Sequence, residues 1–301
     1  MPADDPRLAP GLYLVATPIG NLGDITLRAL DVLRGVDRIA CEDTRQTQKL
    51  LNHFEIVKPT VSCHEHNEHS RAKELIQDIR AGTAVALVSD AGTPAVNDPG
   101  AWLVREAIAA GVSVIPIPGA NAALSALVAS GLPTGEFQFL GFLPEKAGAR
   151  RTCLEKLAST PRDKAQTLIF YEAPHRILET LADIEQVWGG LLNAVVAREL
   201  TKLHEEFVRG TVAEVRRELA GRDRIRGEIT LLLAVPAPAK TQGSAPGVQS
   251  APEKVAARVA RLQAEAAIDE KEALKRLARE LGRSKSELYR ELQRERAAKR
   301  S

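Results

Sequence analysis

The chain has 301 residues, 44% of them hydrophobic, which is enough for a buried core and, at roughly 100 to 200 residues per domain, for two domains with an appendage. Three widely separated cysteines, Cys41, Cys63 and Cys153, argue against a disulfide framework and a paired-cysteine zinc site. The longest apolar runs, such as 12–16 and 229–235, fall far short of the roughly 18 to 20 residues that cross a bilayer. The acidic, proline-rich start lacks the charged and apolar regions of a secretory signal, so a cytoplasmic protein with no membrane partner is expected. The net charge of +2 is uneven: residues 251–301 hold 14 Lys and Arg against 9 Asp and Glu, leaving 27 against 30 in the first 250 residues. A basic module on a near-neutral body hints at a polyanionic partner, or is a solvated helical tail.

In chain order, segments rich in Val, Ile and Leu at 12–16, 38–40, 84–88 and 112–117 alternate with stretches of helical period, which predicts an α/β domain with buried strands. Asp24 is the expected N-cap of the first helix, whose apolar stripe is Leu27, Leu30 and Leu33. Strand-like segments at 138–143, 167–171, 194–197 and 228–235, with helices near Leu154 and over 177–184 and 212–219, predict a second α/β domain. From 236 to 252 the composition turns to Pro, Ala, Gly, Ser and Gln, as in a flexible linker. Beyond it, Val255, Val259, Leu262 and Ala266 form one helical stripe, and Leu274, Leu277, Ala278 and Leu281 a second. Gly282 ends that helix, and Ser284 with Glu287 is a capping-box pattern opening a third that carries Leu288 and Leu292. This pattern resembles a helix-turn-helix, which reads nucleic acid in some proteins and only packs or dimerises in others. The expected division is an N-terminal α/β domain at 9–120, a C-terminal α/β domain at 121–236, a linker at 237–252 and a basic helical module at 253–301.

Four expected strand ends concentrate Gly, Pro and small polar residues, and open α/β sheets bind ligands at the carboxyl ends of their strands. They are 17–24 (TPIGNLGD), 42–45 (EDTR), 89–100 (SDAGTPAVNDPG) and 116–121 (PIPGAN). The first lacks the full G-x-G-x-x-G spacing of a dinucleotide loop. The second is also a plausible helix start with a local ion pair, and the third an Asx-type turn in which Asp98 caps the next helix. His64, His66 and His69 fall within six residues, but no zinc spacing such as H-E-x-x-H is met, and a polar loop at a cleft rim is expected rather than a metal. In the second half, 171–176 (YEAPHR) and 197–202 (ARELTK) end strands with side chains suited to phosphate and ribose, or to surface ion pairs.

Together, 16–22 (ATPIGNL), 42–45, 89–94 (SDAGTP), 171–176 and 197–202 resemble, in the same order, the motifs of the ribosomal RNA small subunit methyltransferase I family, within the tetrapyrrole methylase superfamily. The resemblance runs from about Gly11 to Val235 and extends to the terminal helices. It implies a two-domain, tetrapyrrole-methylase-like α/β fold with a C-terminal helix-turn-helix-like module and a homodimer. It further implies S-adenosylmethionine as methyl donor, no metal, and 2′-O-methylation of a cytidine ribose in the 16S ribosomal RNA of the small subunit. By that analogy Pro18, Gly20 and Asn21, then Asp90, Ala91, Gly92, Thr93 and Pro94, then Pro118, Gly119 and Ala120 would hold the donor. Asp43, Glu172, His175 and Glu228 are the candidate bases for the ribose proton, with Arg176 or Lys202 to stabilise oxyanion charge. Two alternatives stand beside it: a methyltransferase of tetrapyrroles, and a non-catalytic ribosome-binding protein that acts through its terminal helices.

Overall fold

A computed structural model describes residues 8–237, 255–266, 269–281 and 288–293. The first sheet contains β1 (Gly11–Val15), β2 (Arg38–Cys41), β3 (Thr60–Ser62), β4 (Ala84–Val88) and β5 (Val114–Ile117), in the order β3-β2-β4-β1-β5. All its pairings are parallel. Parallel neighbours need crossovers, and helices supply them on both faces. On one face α1 (Leu27–Gly35) and α2 (Thr44–His53) pack Leu30, Leu33 and Leu51 against Val15, Ile39, Ala86 and Val88. On the other, α3 (Glu68–Arg80) and α4 (Ala101–Ala109) pack Leu75, Ile79, Leu103 and Ala107 against Leu12, Ala40, Val85 and Leu87. The AVALV segment of β4 is buried throughout, so it reads as a continuous apolar run.

Two local expectations are corrected. Thr26, not Asp24, caps α1, its hydroxyl accepting from the Ala29 N–H at 3.1 Å. Asp24 belongs to a preceding turn of 3₁₀ helix whose cap is Asn21. Leu27 is 81% exposed, and the buried face of α1 is instead Ala29, Leu30, Val32 and Leu33. Asp98 does not cap α4 either. The Glu68 carboxylate reaches over from α3 and accepts from the N–H groups of Gly100 at 3.1 Å and Leu103 at 3.0 Å.

The second sheet is mixed. Its strands β6 (Phe137–Phe142), β7 (Gln166–Glu172), β8 (Asn193–Arg198), β9 (Glu206–Thr211) and β10 (Ile229–Val235) run in the order β6-β7-β10-β8-β9, with β6 parallel to β7 and the rest antiparallel. Alternation along the strands sorts side chains to two faces. Leu168, Phe170, Val196, Leu231 and Leu233 meet α6 (Ala147–Ser159), α7 (Ile177–Trp188) and α8 (Val212–Ala220). Ile169, Val195, Ala197 and Leu232 meet α5 (Ala122–Ser130), together with Ile19 from the loop after β1. The edge strands β3 and β9 are the two that apolar runs did not announce: one is three residues long, and the other reads EFVRGT.

In the terminal unit, α9 (Val255–Ala266) and α10 (Glu270–Leu281) bury Val255, Val259, Ala273, Leu274 and Leu277 against one another and against Leu288 and Leu292. The expected linker from 238 onward, Gly282 and the Ser284–Glu287 cap lie outside the described residues.

Candidate functional site

The carboxyl ends of β1, β4 and β5 are joined by hydrogen bonds between their loops. The Thr17 N–H donates to the Gly92 carbonyl at 2.8 Å and the Gly92 N–H to the Thr17 carbonyl at 3.0 Å. The Ser89 hydroxyl donates to the same Gly92 carbonyl at 3.2 Å, and the Thr93 hydroxyl to the Ala120 carbonyl at 3.3 Å. Gly92 takes φ +83°, a left-handed conformation that favours glycine. Ala95 and Asn97 adopt similar angles, at φ +66° and +63°, with no glycine to relieve them. Such backbone costs about 1–3 kcal/mol per residue and is concentrated at binding sites. Gly119 is dictated by packing: a Cβ there would lie 2.9 Å from that of Ala16.

The second sheet closes the opposite side. A cleft of about 390 Å³ is lined by Ile19, Ala91, Gly92, Thr93, Val96, Asp98 and Asn121 from the first-sheet loops and from the start of α5. Phe142, Tyr171, Glu172, Leu200, Glu228 and Ile229 line it from the second sheet. Its volume lies in the range of small-molecule sites, roughly 300–1,000 Å³, and its walls are mostly apolar with a few converging polar groups.

Of the candidate donor-binding residues, Ala91, Gly92 and Thr93 line this cleft. Pro18 and Pro94 are buried and are not among its lining residues, and Ala120 backs it through the bond to Thr93. Gly20 lies under the aliphatic stem of Lys202, which occupies the space a Cβ would need. Asn21, Asp90, Pro118 and Gly119 are exposed. Asn21 caps its 3₁₀ turn, and Asp90 accepts the Asp43 N–H at 3.2 Å.

The structure separates the candidate bases. Asp43 caps α2, accepting from the Arg45 N–H at 2.8 Å. His175 is exposed and is not among the lining residues. Glu172 lines the cleft, but its buried carboxylate accepts from the Thr180 hydroxyl at 2.6 Å and the Ala173 N–H at 2.8 Å, and pairs with Arg176 at 3.1 Å. Arg176 also donates to the Leu143 carbonyl at 2.8 Å, so this motif ties the ends of β6 and β7 to the start of α7. Glu228 is more open, with its side chain 77% exposed and holding Lys202 at 3.1 Å, while Glu199 holds the same ammonium at 2.9 Å. Burial works to lower the Lys202 pKa, but its hydrogen bonds to Glu199 and Glu228 outweigh that and hold it above the ordinary value.

Sequence reasoning offered Asp98 as a helix cap in one of two readings of its loop and did not name it as a site residue. It faces the cleft, and burial, reinforced by the charge of Glu42 and opposed by a hydrogen bond with Ser89, pushes its carboxyl up to about 6. Burial also raises the Tyr171 phenol, whose ring stands edge-on to Phe139 and Phe142 at centroid distances of 4.9 and 5.8 Å. The signal available was an Asp inside an elaborate strand-end turn, which serves a cap and a cleft equally. In the histidine segment, His69 packs on Trp102 at 4.1 Å, while His64 and His66 stand 6.0 Å apart. Among the described residues no three His, Cys, Asp or Glu side chains converge as metal ligands would.

Residues 11–216, which run from β1 into α8, match the family model of Tetrapyrrole (Corrin/Porphyrin) Methylases. A relative named ribosomal RNA small subunit methyltransferase I, from Halalkalibacterium halodurans, is 55% identical over 74% of this chain and 75% of its own. Relatives of the same name from Vibrio cholerae and Bacillus subtilis are 52% and 50% identical, over 76% and 74% of this chain and 78% and 74% of theirs. Among solved structures, uroporphyrin-III C-methyl transferase from Thermus thermophilus complexed with S-adenyl homocysteine aligns with a TM-score of 0.52 at 21% identity, over 74% of this chain and 96% of that one. Diphthine synthase aligns at 0.53 and 17%, over 74% and 89%. Those two likenesses speak for the fold, whereas identities of 50–55% over three quarters of the chain speak for the family. This chain belongs to the ribosomal RNA small subunit methyltransferase I family, within the tetrapyrrole methylases.

Proposed function

We propose that the protein transfers a methyl group from S-adenosylmethionine to the ribose 2′-hydroxyl of a cytidine in 16S ribosomal RNA of the small subunit. The observation that carries this reading is the 50–55% identity to relatives bearing that family's name. The reading includes a cytoplasmic homodimer with an N-terminal domain at 9–120, a C-terminal domain at 121–236, a linker at 237–252 and a helical module at 253–301.

The cleft suits an adenosyl donor. Ile19, Val96, Leu200 and Ile229 offer apolar contact to a base, Thr93 and Asn121 offer hydrogen bonds, and Gly92 brings main chain to the wall without a Cβ. Asp98 and Glu228 place carboxylates where a positively charged donor would be attracted. When bound, the donor supplies an already activated methyl group, so the protein's tasks are alignment and removal of the ribose proton. In our reading Asp98 accepts that proton, because it faces the cleft and its carboxyl titrates near working pH. Glu172 and Arg176 hold the strand end in place, and Lys202, fixed by Glu199 and Glu228, supplies positive charge at the rim for oxyanion or phosphate.

The test is transfer of labelled methyl from S-adenosylmethionine to purified small subunits from cells lacking this protein, with the product mapped by nuclease digestion and mass spectrometry. Label on a cytidine 2′-oxygen is expected. Absence of label on both free RNA and assembled subunits would refute the reading, and an absorbance change on titrating a porphyrinoid would then favour a tetrapyrrole substrate.

A further inference from the structure

The outer face of α2 forms a second polar surface, next to the cleft but with different chemistry. α2 starts at the rim, where the Asp43 N–H donates to Asp90. Its inner face buries Thr47 and Leu51. On its outer face Arg45, Gln48, Lys49 and Asn52 recur at i, i+3, i+4 and i+7, and with Thr44 and with Thr60 of edge strand β3 they line a groove of about 460 Å³. All six side chains can donate hydrogen bonds, two are cations, and none is a carboxylate or an aliphatic residue.

Among the described residues, no carboxylate pairs with either cation. Lys49 donates to the Gln46 amide at 2.9 Å. By contrast Arg38 is held by Glu74 at 3.0 Å and Asp78 at 2.8 Å, and Lys202 by two glutamates. Gln48 donates to Asn52 at 2.8 Å, which orders the polar row between the cations. Arg, Lys, Thr, Gln and Asn are the side chains that contact phosphate and sugar in nucleic-acid complexes. One helical turn, about 6 Å of rise, separates the Arg45 and Lys49 positions, a spacing suited to successive backbone groups of an extended strand.

We propose that this groove binds the phosphodiester backbone of the RNA strand next to the target nucleotide, Arg45 and Lys49 each neutralising one phosphate. The proposal rests on the reading of RNA as substrate. It gives the acidic rim a basic neighbour, so that the strand is held beside the cleft rather than by it.

The full-length protein is tested as wild type, as Arg45→Gln/Lys49→Gln, and as Arg80→Gln, a control on α3 across the sheet. Binding to purified small subunits is measured over a range of salt concentrations, and S-adenosylhomocysteine affinity by calorimetry. The double variant is expected to bind subunits roughly 10 to 100-fold more weakly at low salt, with the slope of log K against log salt flattened by about 1.4, the value for two single-strand phosphates. Its S-adenosylhomocysteine affinity should be unchanged, and Arg80→Gln should keep the wild-type slope. An unchanged slope in the double variant, with subunits still bound, would overturn the groove alone. If wild type bound S-adenosylhomocysteine but no subunits, both the groove and the RNA reading would fall.

Discussion

Asp98 shows how one residue's role depends on partners far along the chain. Its carboxyl is raised mainly because burial disfavours the charged form. Since the folded pKa of about 6 exceeds the ordinary value, its favourable contribution to stability is complete below the ordinary carboxylate range and is lost as pH rises through about 6. The ionised form, the only one that can take a proton, accumulates over the same interval. Methyl transfer should therefore rise with pH through about 6, and Asp98→Asn should lower kcat on the order of 10²- to 10⁴-fold while leaving stability at pH 8 equal or higher. A rate profile that is flat from pH 5 to 8, or an Asn variant with wild-type kcat, would remove Asp98 from the reaction. The 89–100 loop was legible as a ligand loop because its Gly and Pro residues announce an unusual backbone locally. Asp98's part in it was not, because the cap it resembled is supplied by Glu68 on α3. Glu172 is the converse: its position at a strand end was readable, but its engagement by Thr180 and Arg176 was not.

At the scale of elements, α6 and α7 are joined by an ion pair that helix propensity does not reveal. Arg150 is 1% exposed and its Nε donates to Asp183 at 2.7 Å, while its other nitrogens reach the Glu145 carbonyl at 3.3 Å and Glu179 at 3.5 Å. Removing one partner of a buried pair strands the other charge and costs about 3–5 kcal/mol. Asp183→Asn should therefore reduce the unfolding free energy by about that amount in urea titrations, and a loss below about 1 kcal/mol would mean that Glu179 and the carbonyl suffice. The strands followed from apolar runs because both faces of a parallel sheet, and one or both faces of the mixed sheet, are covered. β3 and β9 did not, because one is only three residues long and the other reads EFVRGT with little apolar run, so both are held chiefly by their neighbours' hydrogen bonds. The start of α1 was misplaced by two residues because Asp and Thr are both good caps, and the choice was made by the 3₁₀ turn that consumes Asp24.

At the scale of the whole molecule, the cleft exists only where the loops of one sheet meet the strand ends of the other, and neither sheet alone supplies its lining. A ligand bound there should stabilise both sheets at once. S-adenosylhomocysteine at 100 times its Kd is expected to add about 2.7 kcal/mol and to raise Tm by roughly 5 to 10 °C in a single shifted transition. A shift confined to one of two transitions would show that it contacts only one sheet. The sequence by itself determined the two α/β units, the order of the ligand loops and the family, because apolar period and turn residues are properties of short segments. Only the tertiary structure decided which carboxylate faces the cleft and which is spent on a cap or an ion pair. Those outcomes depend on the Glu68 carboxylate, which accepts at the start of α4, and on the Thr180 hydroxyl and the Lys202 ammonium, which donate, at separations that no local pattern encodes.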